Sequence, residues 1–226
     1  MKNIFTCILL LLVSFSFSQA FMPEYKQSFS NKIEVTLNDG TIVKGKIVIY
    51  GLKRMTIKKE NGEKIKVGVT DMKGYRIPAP KSKLLKLLSM ASGGASSVKE
   101  LAKTDFNAVL EADYFVFKRI LDKKGRPFIT QLINPGFDSK IQVYVDPKAK
   151  ETGGARLTGG LLGGLAKSYY ITKGVGSGAL YVEKSKYKKS FSTIFEGCSK
   201  MGGQYGDKPK WDEISTHVFY FDQLCD

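Results

Sequence analysis

The alternation of apolar and polar positions divides the chain into strand-like and helix-like stretches. Lys32-Ile-Glu-Val-Thr-Leu37 alternates with period two, which sets Ile33, Val35 and Leu37 on one face. Asn38-Asp39-Gly40 is a turn, and Thr41 to Tyr50 returns with Ile42, Val43, Ile47 and Ile49. Arg54 to Lys59 and Glu63 to Val69 form a second pair about Asn61-Gly62, and Met72 to Ile77 is a fifth strand closed by Pro78. A new run begins with Tyr114 to Leu121, turns at Asp122–Arg126, and continues as Pro127 to Ile133 and Lys140 to Val145. Lys167 to Lys173 and Ala179 to Lys184 add two more strands. The period then becomes helical. Ser185 to Met201 spaces Tyr187, Phe191, Ile194, Phe195 and Cys198 along one helix face, and Trp211 to Cys225 does so with Trp211, Ile214, Val218, Phe221 and Cys225.

The expected fold class is therefore α+β and mainly β. A small N-terminal antiparallel barrel or bent sheet comes first, then a second antiparallel sheet followed by a C-terminal helical hairpin. The expected organisation is a signal peptide over 1–20, a barrel-like domain over 21–80, a helical linker over 81–104 and a sheet domain with helices over 105–226. Pro78-Ala-Pro80 marks the first internal boundary. Lys81 to Ala91 follows as a short basic amphipathic stretch, suited to packing on the protein or to touching a membrane surface. Ser97 and Glu100 have the spacing of a capping box. Residues 153–166 are rich in glycine.

Two resemblances attach to these strings. Val35-Thr-Leu-Asn-Asp-Gly-Thr-Ile-Val-Lys-Gly-Lys-Ile47, with Met55-Thr-Ile-Lys-Lys59 and Asn61-Gly-Glu-Lys-Ile-Lys-Val67, resembles Sm-like and SH3-like small barrels. That resemblance implies a barrel fold for residues 32–77 and assigns no function. Phe117-Lys-Arg-Ile-Leu121, Tyr169-Tyr-Ile-Thr-Lys-Gly174 and Tyr187-Lys-Lys-Ser-Phe-Ser-Thr-Ile-Phe-Glu-Gly-Cys198 are similar to stretches of uncharacterised exported proteins of Gram-negative bacteria. This one implies export and a β-rich body with helices after it.

The N-terminus points the same way. Lys2 precedes an almost unbroken apolar run from Ile4 to Phe17, and Ser18-Gln19-Ala20 is a small-x-small cleavage site. The run is shorter than the ~20 residues a spanning helix needs. Cleavage after Ala20 and a secreted or periplasmic protein are expected. Removal of Cys7 would leave Cys198 and Cys225, a pair expected to bond in an oxidising compartment and worth ~3 kcal/mol by loop-closure entropy.

Composition narrows the chemistry. The 226 residues include 36 Lys and Arg against 21 Asp and Glu, a net charge of +15. The charge is regional: residues 21–80 carry a net +6, 148–190 a net +7 and 191–226 a net −3. Basic stretches of this kind suit anionic partners. The candidate binding residues are Lys44, Lys46, Lys58, Lys59, Lys64 and Lys66, together with Lys184, Lys186, Lys188 and Lys189.

Enzyme motifs fail one by one. The glycines before Lys167-Ser168 do not have P-loop spacing, and Val175-Gly-Ser177 does not make a nucleophile elbow. Asp207 and Asp212 lack the spacing of a calcium loop. The lone His217 reads as a surface or half-buried structural side chain with no nucleophile pattern beside it. Asp105, Glu111, Asp113 and Asp122 are scattered acids from which a hydrolase could draw a pair.

No catalytic residue, metal or cofactor is expected. The reading is an exported, non-enzymatic binding or structural protein with an unknown protein or anionic-surface partner and the option of self-association. A binder of polysaccharide, lipopolysaccharide or DNA is its first alternative, and a carboxylate hydrolase its second.

Overall fold

The computed structural model describes residues 18–19, 21–22, 24–25, 32–51, 53–79, 81, 104–105, 111–149, 166–174 and 178–225. The expected signal peptide 1–20 apart from Ser18 and Gln19, nearly all of the amphipathic stretch Lys81 to Ala91, the expected capping pair Ser97 and Glu100, and residues 153–165 of the glycine-rich segment lie outside these residues. Twelve strands are defined: β1 (Ser18–Gln19), β2 (Lys32–Leu37), β3 (Ile42–Tyr50), β4 (Arg54–Lys58), β5 (Lys64–Gly68), β6 (Met72–Pro78), β7 (Thr104–Asp105), β8 (Tyr114–Leu121), β9 (Pro127–Gln131), β10 (Ile141–Val145), β11 (Ser168–Lys173) and β12 (Leu180–Glu183). Three helices follow: α1 (Tyr187–Ile194), α2 (Ser199–Tyr205) and α3 (Ile214–Leu224).

The architecture is the mainly-β one the pattern predicts. A seven-stranded antiparallel sheet in the order β5-β4-β3-β2-β6-β8-β9 and a three-stranded sheet β10-β11-β12 precede the helices, while β1 and β7 form a short parallel pair. The N-terminal strands make a bent, open sheet, and no barrel closes. The fifth strand does return beside the first, with Glu34 opposite Arg76 and Val35 opposite Tyr75. The free edge of β6 is then taken by β8, from Gly74–Lys118 to Pro78–Tyr114, so β6 is not available for β5. At Gly74 the two strands approach so closely that any Cβ would collide with the Phe117 carbonyl.

The core lies on one face of this sheet. Ile33, Val35, Ile47, Met55, Ile57, Val67, Tyr75, Ile77, Phe115 and Phe117 are buried there, as the alternation requires. The segment just after the expected cleavage site joins them. Met22 is buried and donates its N–H to the Ile133 carbonyl at 2.6 Å, and the Tyr25 ring stacks on Phe115 at 4.4 Å.

The two sheets meet at a corner built by one side chain. Leu132 bridges Tyr144, and the Ile133 N–H donates to the Val143 carbonyl. Asn134 is fully buried, donates to the carbonyls of Phe137 and Ile141 at 2.8 Å each, and accepts from the Val143 N–H at 2.8 Å. Each of these groups would be an orphan without it.

The helical end differs from expectation in its segmentation, with Gly202 and Gly203 inside α2 rather than between helices. The apolar spacing predicts an unbroken helix from Ser185 to Met201, but α1 ends at Ile194 and α2 starts at Ser199. Gly197 sits at φ +90°, a left-handed conformation that turns the chain out of the helix. Tyr187, Phe191, Ile194 and Phe195 remain buried across the break, as do Trp211, Ile214, Val218, Phe221 and Cys225 in the second segment. Cys198, in the break, is bonded to Cys225 just after α3, with Cα atoms 5.4 Å apart. That spacing is ordinary for a disulfide. No helix among the described residues is long and apolar enough to cross a membrane.

Candidate functional site

The face of β2–β5 opposite the core collects cations into a line. Antiparallel register sets Lys32 opposite Lys46, Lys46 opposite Lys58, and Lys58 opposite Lys64. Residues directly opposite one another share a face, so four ammonium groups stand abreast on four consecutive strands. All four residues are exposed, and none forms an ion pair among the described residues.

The neighbouring row is different. Glu34 pairs with Arg76 at 2.6 Å and with Lys44 at 3.3 Å, and the Arg76 guanidinium, helped by Lys44, holds its carboxyl below the ordinary carboxylate range. On the other side, beyond the bulge in β3 between Ile47 and Ile49, Ile49 lies opposite Thr56 and Thr56 opposite Lys66. Ile49 is 59% exposed.

The ten lysines expected to bind thus separate into groups. Lys46, Lys58 and Lys64 stand in the line, with Lys66 one pleat away. Lys44 is held by Glu34, and Lys59 is held by Glu63 at 3.0 Å across the β4–β5 turn. The C-terminal group sits on other elements. Lys184 and Lys186 form a 3-10 turn and face Asp212 at 3.9 Å and Glu183 at 2.5 Å. Lys188 and Lys189 are exposed in the first turn of α1. Lys32 completes the line and was missing from the expected set. Its signal was the hairpin itself, because counting outward from Asp39 pairs residue 32 with residue 46.

His217 is the other place where chemistry could reside. It is fully buried, deeper than the surface or half-buried position expected of it, because α3 packs into an aromatic box from α1 and α2. The Tyr205 ring stands 4.5 Å away, Phe191 5.3 Å and Tyr187 6.0 Å. The Tyr187 hydroxyl meets Nδ1 at 2.7 Å, while Nε2 has no hydrogen-bond partner and lies 3.7 Å from a Glu213 carboxylate oxygen. Burial pushes the imidazole down to about 4, against the pull of Glu213, and pushes the Tyr187 hydroxyl well above its usual range. Both groups are therefore neutral at pH 7.

Cys198 and Cys225 are bonded to each other, so neither offers the imidazole a free thiol.

The acids have local partners too. Asp122 accepts from the backbone N–H groups of Lys124 and Arg126 and from the Arg126 guanidinium, which together hold its carboxyl down to about 2. Asp222 accepts from the Ser139 hydroxyl at 2.7 Å and the Lys140 N–H at 3.0 Å, tying α3 to the start of β10. Asp146 accepts from the buried Ser168 hydroxyl at 2.7 Å. Among the described residues no group of three His, Cys, Asp or Glu side chains gathers to hold a metal.

No protein-family model, curated protein or solved structure matches the chain.

Proposed function

We propose that the protein is exported, loses its leader after Ala20, and acts without catalysis as a binding protein of the cell envelope or extracellular space, holding an anionic polymer on the lysine-lined face of its sheet. The observation that carries this reading is the uncompensated line Lys32–Lys46–Lys58–Lys64. Like charges directly opposite one another destabilise a sheet. A polyanion laid along the line turns that repulsion into attraction.

Export draws support from the leader pattern and from the bond between the two cysteines that remain once Cys7 is removed. A chain starting at Phe21 also keeps Phe21, Met22 and Tyr25 for the core.

The test is retention of the purified protein on a sulfated-polysaccharide column, with fractionation of the native host for its location. Retention at low salt that is lost steeply as salt rises supports the reading. Flow-through at low salt, or recovery of an uncleaved chain from the cytoplasm, overturns it.

A further inference from the structure

Resting on that reading, we infer that the partner is a single extended chain of an acidic polysaccharide, lying across the strands along Lys32, Lys46, Lys58 and Lys64. Adjacent strands are ~4.8 Å apart, so the ammonium groups recur at about the length of one sugar unit, over roughly 14 Å.

The unpaired cations are densest along this one line. Beside it, Glu34 offsets one of the two charges of Lys44 and Arg76, and on the other side Lys66 and Arg54 stand singly on separate rows. A flat anionic membrane would meet a carboxylate next to the line. Duplex DNA presents one charge per ~1.7 Å of axis on two winding strands, and its grooves take a helix or a protruding ribbon. Here the cations sit on consecutive strands of a broad sheet, three of them inside its edge.

A polyuronate fits better. Its carboxylates are in single file, and its sugar rings offer C–H faces and hydroxyls between them. Ile49, exposed beside Lys46, and the exposed Lys66 beyond it suit that mixture of surfaces.

The experiment titrates the protein with oligogalacturonates of increasing length, duplex DNA of equal charge, and vesicles containing anionic lipid. Affinity for the oligogalacturonates should climb up to about four units, the number of lysines abreast, and then level off. By analogy with single-stranded polyanions, log affinity should fall against log salt with a slope of about −3, halved in Lys46→Gln/Lys58→Gln. Lys188→Gln/Lys189→Gln should bind as the unaltered chain does. Thermal unfolding of each variant should show a midpoint no lower than that of the unaltered chain, since these positions are exposed.

Tighter binding of DNA or vesicles than of the glycan, or equal loss in the Lys188/Lys189 variant, overturns the inference while leaving an anionic partner in place. No binding of any of the three at low salt overturns the broader reading as well.

Discussion

One transverse row crosses both sheets and changes character on the way. It runs from Lys44 through Glu34, Arg76 and Val116 to Leu132, Tyr144, Tyr170 and Tyr181. At β2, β3 and β6 its side chains are ions in water. From β8 onward they are apolar, and Ile120, Leu132 and Tyr144 form a second small core with Val116, Phe128 and Tyr170. The N-terminal half thus buries one face of its sheet and leaves the other to solvent. The C-terminal half packs apolar side chains on both faces and adds Trp211 on Tyr169 at 5.4 Å, Tyr187 against Trp211 at 5.3 Å, and a disulfide. The aromatic packing and the disulfide lie away from the lysine line. Such a division lets one half carry a repulsive charge line while the other supplies cohesion.

The largest break in that contrast should come from the disulfide. Cys198 and Cys225 are separated by 27 positions, and closing a loop of that size is worth about 3 kcal/mol in the unfolded state. Cys198→Ser/Cys225→Ser, or reductant added to the unaltered protein, should lower stability by about that amount in urea unfolding. A shift below about 0.5 kcal/mol would mean that the aromatic packing needs no staple.

Acid should act next, and on the same half. His217 is held near 4 when folded against 6.5 when free, so the unfolded chain binds the extra proton between those values. The stabilisation is therefore fully present above pH 6.5 and drains away as pH falls toward 4, by about 2 kcal/mol at pH 5. The groups around the ring are Tyr187, Phe191 and Phe195 from α1 and the turn that ends it, Tyr205 from α2 and Glu213 from the turn before α3. Only Glu213 is charged, and at 3.7 Å and 43% exposure it offsets part of the burial. His217→Gln should remove the slope between pH 7 and 5. A slope unchanged in that variant would assign the acid sensitivity to the carboxylates instead.

How far these halves could be read from sequence depends on what each signal reports. Alternation reports faces, and it placed β2 and β8 at their observed limits. Glycine turns report register, so two of the three lysine pairings follow from counting about Asp39 and Asn61. The third, Lys46 with Lys58, crosses a connection where the bulge in β3 shifts the count by one, and symmetry about the turn no longer gives the partner. Neither signal says which strand lies next to which. The β6–β8 pairing, and with it the open sheet, depends on tertiary competition for one strand edge. At the helical end the apolar spacing runs straight through Gly197, so it reports the buried face and misses the break. Helical spacing assigns one face of α3 to the core and sets His217 at its margin, whereas the aromatic rings of α1 and α2 enclose it.

The smallest predicted effect has the opposite sign. Lys58 stands between Lys46 and Lys64 with no counter-ion among the described residues, so it feels two like charges across its strands. Replacing it with Gln removes both repulsions and keeps part of the aliphatic stem. Lys58→Gln should therefore raise stability at low salt by a few tenths of a kcal/mol, within the ~0.2–1 kcal/mol range of cross-strand pairs. The gain should fade at high salt, where a Debye length of ~3 Å screens neighbours that stand one strand apart. Adding the bound polyanion should reverse the order, with the unaltered chain stabilised more than the variant by mass action. A Lys58→Gln variant less stable than its parent in every buffer would mean that the lysine stems hold the sheet by packing, and the charge line would then need no partner to explain it.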